Sequence, residues 1–247
     1  MNRNKQVNFI HFLSLDSTNT WAKNNAAILD PNYITCITAQ EQTAGRGRFF
    51  RRWISPKGQN IYASLFFKIP LSATFIGNLG QVMCISCSKT LKKIGFDTQI
   101  KWPNDLLMSG KKIAGILCES INMDDKLGII LGFGVNVNMS KDILTTIDQP
   151  ATSLAEESGH TWNLEEILEK IVYQFLEDYT TLESQGFEVF HKMYESLLAY
   201  KGQLMSWSDG VKQIYGICHS ISPEGKLNLI THSGEMVSLF AGEIKAF

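Results

Sequence analysis

The stretch Gln40-Glu41-Gln42-Thr43-Ala44-Gly45-Arg46-Gly47-Arg48-Phe49-Phe50-Arg51-Arg52-Trp53 decides how the rest of the chain is read. Its four arginines stand within seven positions, the first two separated by glycine. Glycine at 45 and 47 makes a poor helix, and adjacent like charges with no alternating apolar face make a poor strand. A loop remains, whose backbone amides and guanidinium forks can close on an anion. β-Branched Tyr33–Gln40 precedes it and apolar Asn60–Ile69 follows, so the loop bridges two strands. Taken alone, a solvated basic turn explains the stretch as well as a mobile lid does.

Composition narrows the setting. The 247 residues can bury a sizeable core, and 44% hydrophobic with 19% charged residues describes an ordinary globular chain. A net charge of -1 and a pI near 6.5 exclude a general nucleic-acid binder, so the positive charge is local. No stretch reaches the roughly 20 apolar residues of a membrane span, and the polar start Met1–Lys5 leads into no signal-peptide core. A cytoplasmic protein with reduced thiols is expected from five cysteines without framework spacing. Cys84 and Cys87 form a C-x-x-C inside an apolar, helix-like segment with no second pair, and read as buried packing.

Outward from the loop, Phe9–Leu15 reads as a first strand, and Ser17 offers an N-cap to a helix beginning Thr18-Asn19-Thr20-Trp21. Capping accounts for these side chains, and so does a polar ligand at the helix mouth. Ile76–Ile94 has helical spacing. In Lys101-Trp102-Pro103-Asn104-Asp105, Lys101 and Trp102 end a strand and Asn104 and Asp105 occupy a bend. Ser109–Lys112 reads as a hairpin tip before the strand Ile113–Ser120, and Lys126–Asn138 as a long strand. Gly132 and Gly134 inside that strand imply close approach of something to the backbone. Asn163–Leu182 and Gly186–Leu198 are helices, the first with a capping-box start at Asn163 and Glu166. After Tyr200, short β runs broken by Ser-Asp-Gly, Pro-Glu-Gly and Ser-Gly read as a small antiparallel barrel.

No phosphate-binding P-loop occurs, and Gly132-x-Gly134 lacks the third glycine of a dinucleotide turn. Joining a carboxylic acid to ATP nevertheless needs only fixed cations, because a carboxylate and a phosphate must approach one another. Arg46 and Arg48 supply planar forks, Lys112 a point charge, and Trp53 a face for a purine. That half-reaction needs no histidine cluster, and none is present.

Ser17-Thr18-Asn19, the Gln42–Trp53 loop, Lys101-Trp102-Pro103-Asn104-Asp105, Lys112-x-x-Gly115-Ile116-Leu117-x-Glu119, Gly132-x-Gly134-x-Asn136-Val137 and Ala151-Thr152-Ser153-Leu154 together resemble, in order, a class I biotin protein ligase. The resemblance implies activation of biotin with ATP to biotinyl-5′-AMP, release of pyrophosphate, and transfer of biotin to a lysine of a biotin carboxyl carrier protein domain. It places Ser17, Thr18 and Gln42 on the ureido head of biotin, with Asn19 supporting them. Gly45, Gly47 and Gly115 join the biotin contacts. Arg46, Arg48 and Lys112 serve both substrates as the catalytic cations. Trp53, Lys101, Asn104 and Asn136 surround the adenylate, and Asp105 is a catalytic carboxylate near the phosphates or Mg²⁺. Matching every ureido donor and acceptor would add specificity, since a buried unpaired group costs ~1–3 kcal/mol.

Two departures stand out. Relatives usually carry glycine where this chain has Phe50, so its loop is expected to be stiffer or to close differently. Some relatives begin with a DNA-binding helix-turn-helix; here the ligase pattern starts almost at Met1, and no DNA binding or repressor activity is expected. The implied fold is α+β: a class II synthetase-like mixed sheet backed by helices over 1–199, then an SH3-like β-barrel over 200–247. A homodimer is compatible with it. A lipoate or octanoate ligase or transferase of related fold, and a catalytically idle ligand sensor or adaptor, are the competing readings. The polar Ser17, Thr18 and Gln42 cluster argues against the former, and three converging cations against the latter.

Overall fold

The computed structural model describes residues 6–247, apart from the side chain of Phe50; the polar start Met1–Lys5 lies outside them. The strands are β1 (Val7–Phe12), β2 (Ile34–Ala39), β3 (Ile61–Pro70), β4 (Gln99–Lys101), β5 (Asp105–Met108), β6 (Lys111–Met123), β7 (Lys126–Val135), β8 (Leu204–Ser208), β9 (Gln213–Ile221), β10 (Leu227–Thr231), β11 (Met236–Leu239) and β12 (Glu243–Ala246). The helices are α1 (Thr18–Asn25), α2 (Leu79–Lys93), α3 (Lys141–Leu144), α4 (Leu154–Ser158), α5 (Leu164–Gln185) and α6 (Glu188–Ser196). The chain divides into two compact units, one containing the described residues up to Thr74 with Gly110–Val172, the other Phe75–Ser109 with Tyr173–Phe247.

In the first unit, five strands run in the order β1-β2-β3-β7-β6. β1 and β2 are parallel, and the remaining pairs are antiparallel, so the sheet is mixed. β3 and β7 are buried along nearly their whole length, as their unbroken apolar runs require of central strands. Helix α1 covers one face: Ala22 and Ala26 pack with Leu29, Ile37, Phe66 and Ile130, while Phe12 and Trp21 meet at 4.9 Å. Alanine on that helical stripe lets the backbone approach the sheet closely.

In the second unit, β4 and β5 form an antiparallel pair, and the strand order β11-β10-β9-β8-β12 makes a five-stranded antiparallel sheet. Helix α2 is buried almost all round, and its buried polar groups are satisfied. The Ser86 hydroxyl donates to Asp178 Oδ2 at 2.8 Å and Lys89 Nζ to Oδ1 at 2.5 Å, so a nearly inaccessible carboxylate keeps its counter-charge. Trp102, 1% exposed, donates from Nε1 to the Gly225 carbonyl at 3.1 Å, and Gln81 donates to the same oxygen at 2.7 Å. Gly225 has φ +87°, and a Cβ there would lie 2.3 Å from Gln81 Oε1. Glycine is therefore required in this Pro-Glu-Gly turn.

Most expected elements are present with shifted ends. Trp102 lies in the turn after β4, Asp105 opens β5 opposite Lys101, and Lys111 and Lys112 already belong to β6. Pro103 fixes its own φ, and the Lys101–Asp105 pairing takes Asp105 into the ladder rather than the bend. Helix α5 starts at its Asn163 cap, whose Oδ1 accepts from the Glu165 and Glu166 amides, and ends before Gly186 at φ +75°. The C-terminal runs form a five-stranded sheet.

The C-x-x-C cysteines are fully buried in α2, and burial pushes the Cys87 thiol up to about 12, as it does Cys36. At pH 8 nearly all of a thiol with so high a pKa stays protonated, so both should alkylate at least about a hundredfold more slowly than a free thiol. Mass spectrometry of briefly iodoacetamide-treated protein should find Cys84, Cys87 and Cys36 modified only after unfolding.

Candidate active site

The sheet of the first unit has one row of residues formed by Ser64, Gly132 and Leu117 across β3, β7 and β6, and another formed by Tyr62, Gly134 and Gly115. These rows are two residues apart and share a face. The Asn19 amide occupies the position above Gly132: a Cβ there would stand 2.2 Å from Asn19 Oδ1. The Trp53 indole lies over the second row. A Cβ on Gly134 would meet its Nε1 and Cε2 at 2.6 Å, and one on Gly115 would meet Cζ3 at 3.1 Å. The interior glycines therefore serve close approach, the approaching groups being the helix mouth and the tryptophan that ends the arginine loop.

At the helix mouth, Ser17, Thr18 and Asn19 are all buried, and Ser17 caps α1 through the Thr20 amide. Gln42 Oε1 accepts from the Thr18 backbone amide at 2.9 Å and the Thr18 hydroxyl at 3.2 Å, while Gln42 Nε2 donates to Ser55 Oγ at 3.1 Å. Ser64 Oγ lies 2.7 Å from Thr18 Oγ1 and 2.5 Å from Asn19 Oδ1, within hydrogen-bond reach of both, and its single hydrogen serves one of them at a time. Asn19 Nδ2 donates to the Leu117 carbonyl at 3.2 Å and to Glu119 Oε2 at 2.8 Å. Ser17 thus caps the helix, while Thr18 and Asn19 enter a side-chain network.

The arginine loop has its own hydrogen bonds. Its neck closes through the Trp53 amide on the Gly45 carbonyl at 2.9 Å, and the Gly47 amide donates to the Arg51 carbonyl at 2.7 Å around a short 3₁₀ turn. Gly45 is indispensable, because a Cβ would come within 2.6 Å of the Trp53 carbonyl. Ala44 N donates to the Asp16 carbonyl at 2.8 Å, tying the neck to the residue before the helix mouth. Arg46 NH2 reaches Glu119 Oε2 at 2.9 Å, and Arg48 lies over the Phe49 ring at 4.9 Å. The left-handed residue of the loop is Phe49, at φ +53°. The side chain of Phe50 lies outside the described residues.

Lys112, the second residue of β6, is gripped on both backbone sides: its amide donates to the Pro150 carbonyl at 2.8 Å, and its carbonyl accepts from Thr152 at 2.9 Å. Asn136 donates from Nδ2 to the Thr152 carbonyl at 3.0 Å, and its backbone carbonyl accepts from Leu154. The Ala151–Leu154 motif thus acts as a clamp joining Lys112 and Asn136. Lys112 Nζ stands 5.4 Å from the Trp53 ring centroid, within cation–π range. Trp53 Nε1 is buried and has no hydrogen-bond partner among the described residues. Beside this group lies a cavity of about 200 Å³ lined by Arg51, Arg52, Trp53, Lys112, Asn136 and the segment around Thr146–Gln149.

The first unit therefore gathers Ser17, Thr18, Asn19, Gln42, Gly45, Arg46, Gly47, Arg48, Trp53, Lys112, Gly115 and Asn136. Lys101, Asn104 and Asp105 belong to the second, in the β4–β5 pair and its turn, where Lys101 and Asp105 are register partners. Sequence reasoning assigned no role to Ser64, Ser55, Glu119, Arg51, Arg52 or the Thr146–Gln149 segment. A lone serine inside the apolar β3 run was the available signal for Ser64.

Chemically, the arrangement offers a buried polar mouth able to match an uncharged polar head, and beyond it cations and an aromatic face beside an open cavity. Gly132→Ala would drive a methyl into the Asn19 amide, and we expect it to lower Tm and abolish binding to the helix mouth. Gly134→Ala would displace Trp53, and on the purine-face reading of that tryptophan its main effect should fall on ATP binding. Thermal denaturation together with separate titration of the two ligand types would show the split.

Comparison with known proteins follows these features. Residues 12–136, half of the chain, match the profile of the biotin/lipoate A/B protein ligase family. The bifunctional ligase/repressor BirA of Salmonella typhimurium is 30% identical over 93% of this chain and 71% of that protein. The biotin--[acetyl-CoA-carboxylase] ligase of Paracoccus denitrificans is 30% identical over 90% of this chain and 94% of its own. Among solved structures, biotin protein ligase from Aquifex aeolicus in complex with biotin and ATP superposes with a TM-score of 0.82, at 30% identity, covering 97% of this chain and 98% of that one.

Proposed function

The chain belongs to the biotin/lipoate A/B protein ligase family, and from that membership we propose how its own residues perform the reaction of an ATP-dependent biotin protein ligase. The observation that carries the assignment is the placing, on one sheet face, of the Thr18–Gln42–Asn19 network beside the Trp53–Lys112 pair and its cavity.

Biotin's ureido head would exchange hydrogen bonds with Ser17, Thr18 and Gln42, in a mouth whose geometry Asn19 and Ser64 hold. Its carboxylate would then point toward Lys112 and the arginine loop. In the first step a carboxylate oxygen attacks the α-phosphorus of ATP, the mixed anhydride forms, and pyrophosphate leaves. Arg46, Arg48 and Lys112 offset the repulsion between the two anions and stabilise charge on the phosphoryl oxygens. Adenine and ribose would occupy the cavity by Trp53 and Asn136, with Arg51 and Arg52 at its wall. In the second step the amine of an acceptor lysine attacks the acyl carbon and AMP leaves. The acceptor would be the carrier domain of a biotin-dependent carboxylase.

Mg²⁺ would accompany ATP. Among the described residues no three His, Cys, Asp or Glu side chains converge, which fits an ion carried on the nucleotide phosphates rather than in a protein cage. Lys101, Asn104 and Asp105, expected beside the nucleotide and its metal, belong to the β4–β5 pair of the second unit. We assign residues 1–199 to this chemistry and 200–247 to an SH3-like β domain, a reading that the five-stranded antiparallel sheet supports. No helix among the described residues is long and apolar enough to cross a membrane. Five free cysteines favour the cytoplasm.

Biotin-dependent exchange of labelled pyrophosphate into ATP tests the assignment; exchange with lipoate or octanoate but not biotin would overturn it. Lys112→Ala should lower single-turnover adenylate formation about 10²–10³-fold while leaving ATP affinity within a few-fold, as expected for a charge acting on the transition state. Arg48→Gly should raise release of free biotinyl-AMP about tenfold in the absence of acceptor, because the loop loses one charged fork. Chromatography of the reaction supernatant measures that release directly.

A further inference from the structure

Thr152 stands just before the Ser153 cap of helix α4, and Glu157 of that helix has no role in the reaction as derived above. Thr152 is 2% exposed, and each of its polar groups is engaged. Its amide donates to the Lys112 carbonyl at 2.9 Å, its carbonyl accepts from Asn136 Nδ2 at 3.0 Å, and its hydroxyl donates to Glu157 Oε1 at 2.6 Å. The first two bonds reach two residues that line the cavity, one in β6 and one just after β7. The same Glu157 oxygen stands 3.6 Å from Lys111 Nζ, so a group that can only accept meets two donors. Lys111 and Lys112 are successive strand residues and face opposite ways. Glu157 therefore meets the lysine turned away from the site, while Lys112 Nζ stays by the Trp53 ring.

We propose that Glu157 is a positioning residue for adenylation: by fixing the Thr152 hydroxyl it sets the Thr152 peptide groups, and with them the placing of Lys112 relative to the Asn136 side-chain amide on the cavity wall. The proposal rests on the reading of Lys112 as the cation at the reacting oxygens and of Asn136 as a nucleotide contact. A carboxylate in the first turn of a helix would by itself be a helix-start contact, favoured by the helix dipole. That role is already filled for α4 by Ser153, whose Oγ accepts from the Glu156 amide at 3.2 Å. What distinguishes Glu157 is the residue it holds, since Thr152 is bonded to both Lys112 and Asn136. Asn136 is itself 2% exposed, and with Nδ2 committed to the Thr152 carbonyl its amide plane follows that carbonyl. Without the carboxylate, the buried hydroxyl must find another acceptor or go unpaired, and the Thr152 peptide moves with it. Misplacing a catalytic group by about 1 Å can cost on the order of 10²-fold in rate.

Glu157→Ala and Thr152→Val break the link from its two ends in the full chain, and valine keeps the threonine's shape and both of its backbone bonds. Each should lower kcat of biotin-dependent pyrophosphate exchange about tenfold and raise KM for ATP a few-fold, with KM for biotin within about twofold of wild type. The double variant should be no worse than either single one, and in a Lys112→Ala background Glu157→Ala should add little to the loss of kcat. Glu157→Gln keeps an acceptor for the hydroxyl and should recover most of the rate. A merely structural contact would lower Tm and leave kcat and KM for ATP at their wild-type values. That outcome would overturn the proposal, as would full additivity in either pair or no recovery by Glu157→Gln. Amide hydrogen exchange at Thr152 and Lys112 should quicken several-fold in Glu157→Ala whatever the substrate. Failure of the wild-type protein to exchange with biotin would instead sink the functional reading, while hydrogen exchange would still report on the Glu157–Thr152 link.

Discussion

The close contact of the Asn19 amide with the bare backbone of Gly132 is the constraint on which the site depends. A side chain at 132 would take the space of the amide, and without the amide Ser64 and Glu119 would each lose one of their partners. Two strand residues further along, Gly134 does the same for Trp53, with Gly115 beside it on β6. Glycine inside a strand weakens it, since it has no side chain to pack. Here the lost packing is restored by groups from outside the sheet, a helix N-terminus and a loop tryptophan. The sheet thus carries two bare patches side by side, one filled by a polar amide and the other by an indole.

This arrangement explains why the cations are brought together without a rigid cluster of their own. Mutual repulsion would scatter several exposed arginines and a lysine unless each were anchored separately. Lys112 is fixed through its backbone by the Pro150–Thr152 segment, Arg46 by a carboxylate, and Arg48 lies over a neighbouring ring. Each anchor acts on a different part of its residue, so the position of each cation is set separately.

Much of this was legible in the sequence, for identifiable reasons. Helix α5 announces itself by its apolar spacing and its Asn163 cap, both local properties. The loop could be recognised because its glycines and adjacent charges exclude the regular alternatives, and Gly132 and Gly134 signalled a close approach without naming what approached. Ser64 was not legible, because a serine in a strand is unremarkable until Asn19, some 45 positions away, is brought beside it, and Glu119 stood out only as the end of the Lys112-x-x-Gly115 motif, its partner Asn19 lying 100 positions away. The Asn136–Thr152 clamp likewise depends on a pairing that no periodicity encodes. Asp105 was placed in the bend rather than the strand because Pro-Asn-Asp is a turn signal, and the ladder with Lys101 overrode it.

The same contrast bears on how the loop works. A basic loop that met its ligand unformed would have to be ordered by the binding event, at a cost of about 1–2 kcal/mol for each residue fixed. Here the neck is already closed by Gly45 and Trp53, a 3₁₀ turn spans Arg48–Phe50, and Arg46 is tied to the sheet. Phe49 holds a left-handed conformation that costs a bulky residue roughly 1–2 kcal/mol. On this view the arginine loop is a partly assembled lid, and the network that assembles it begins at a glycine in the middle of the sheet.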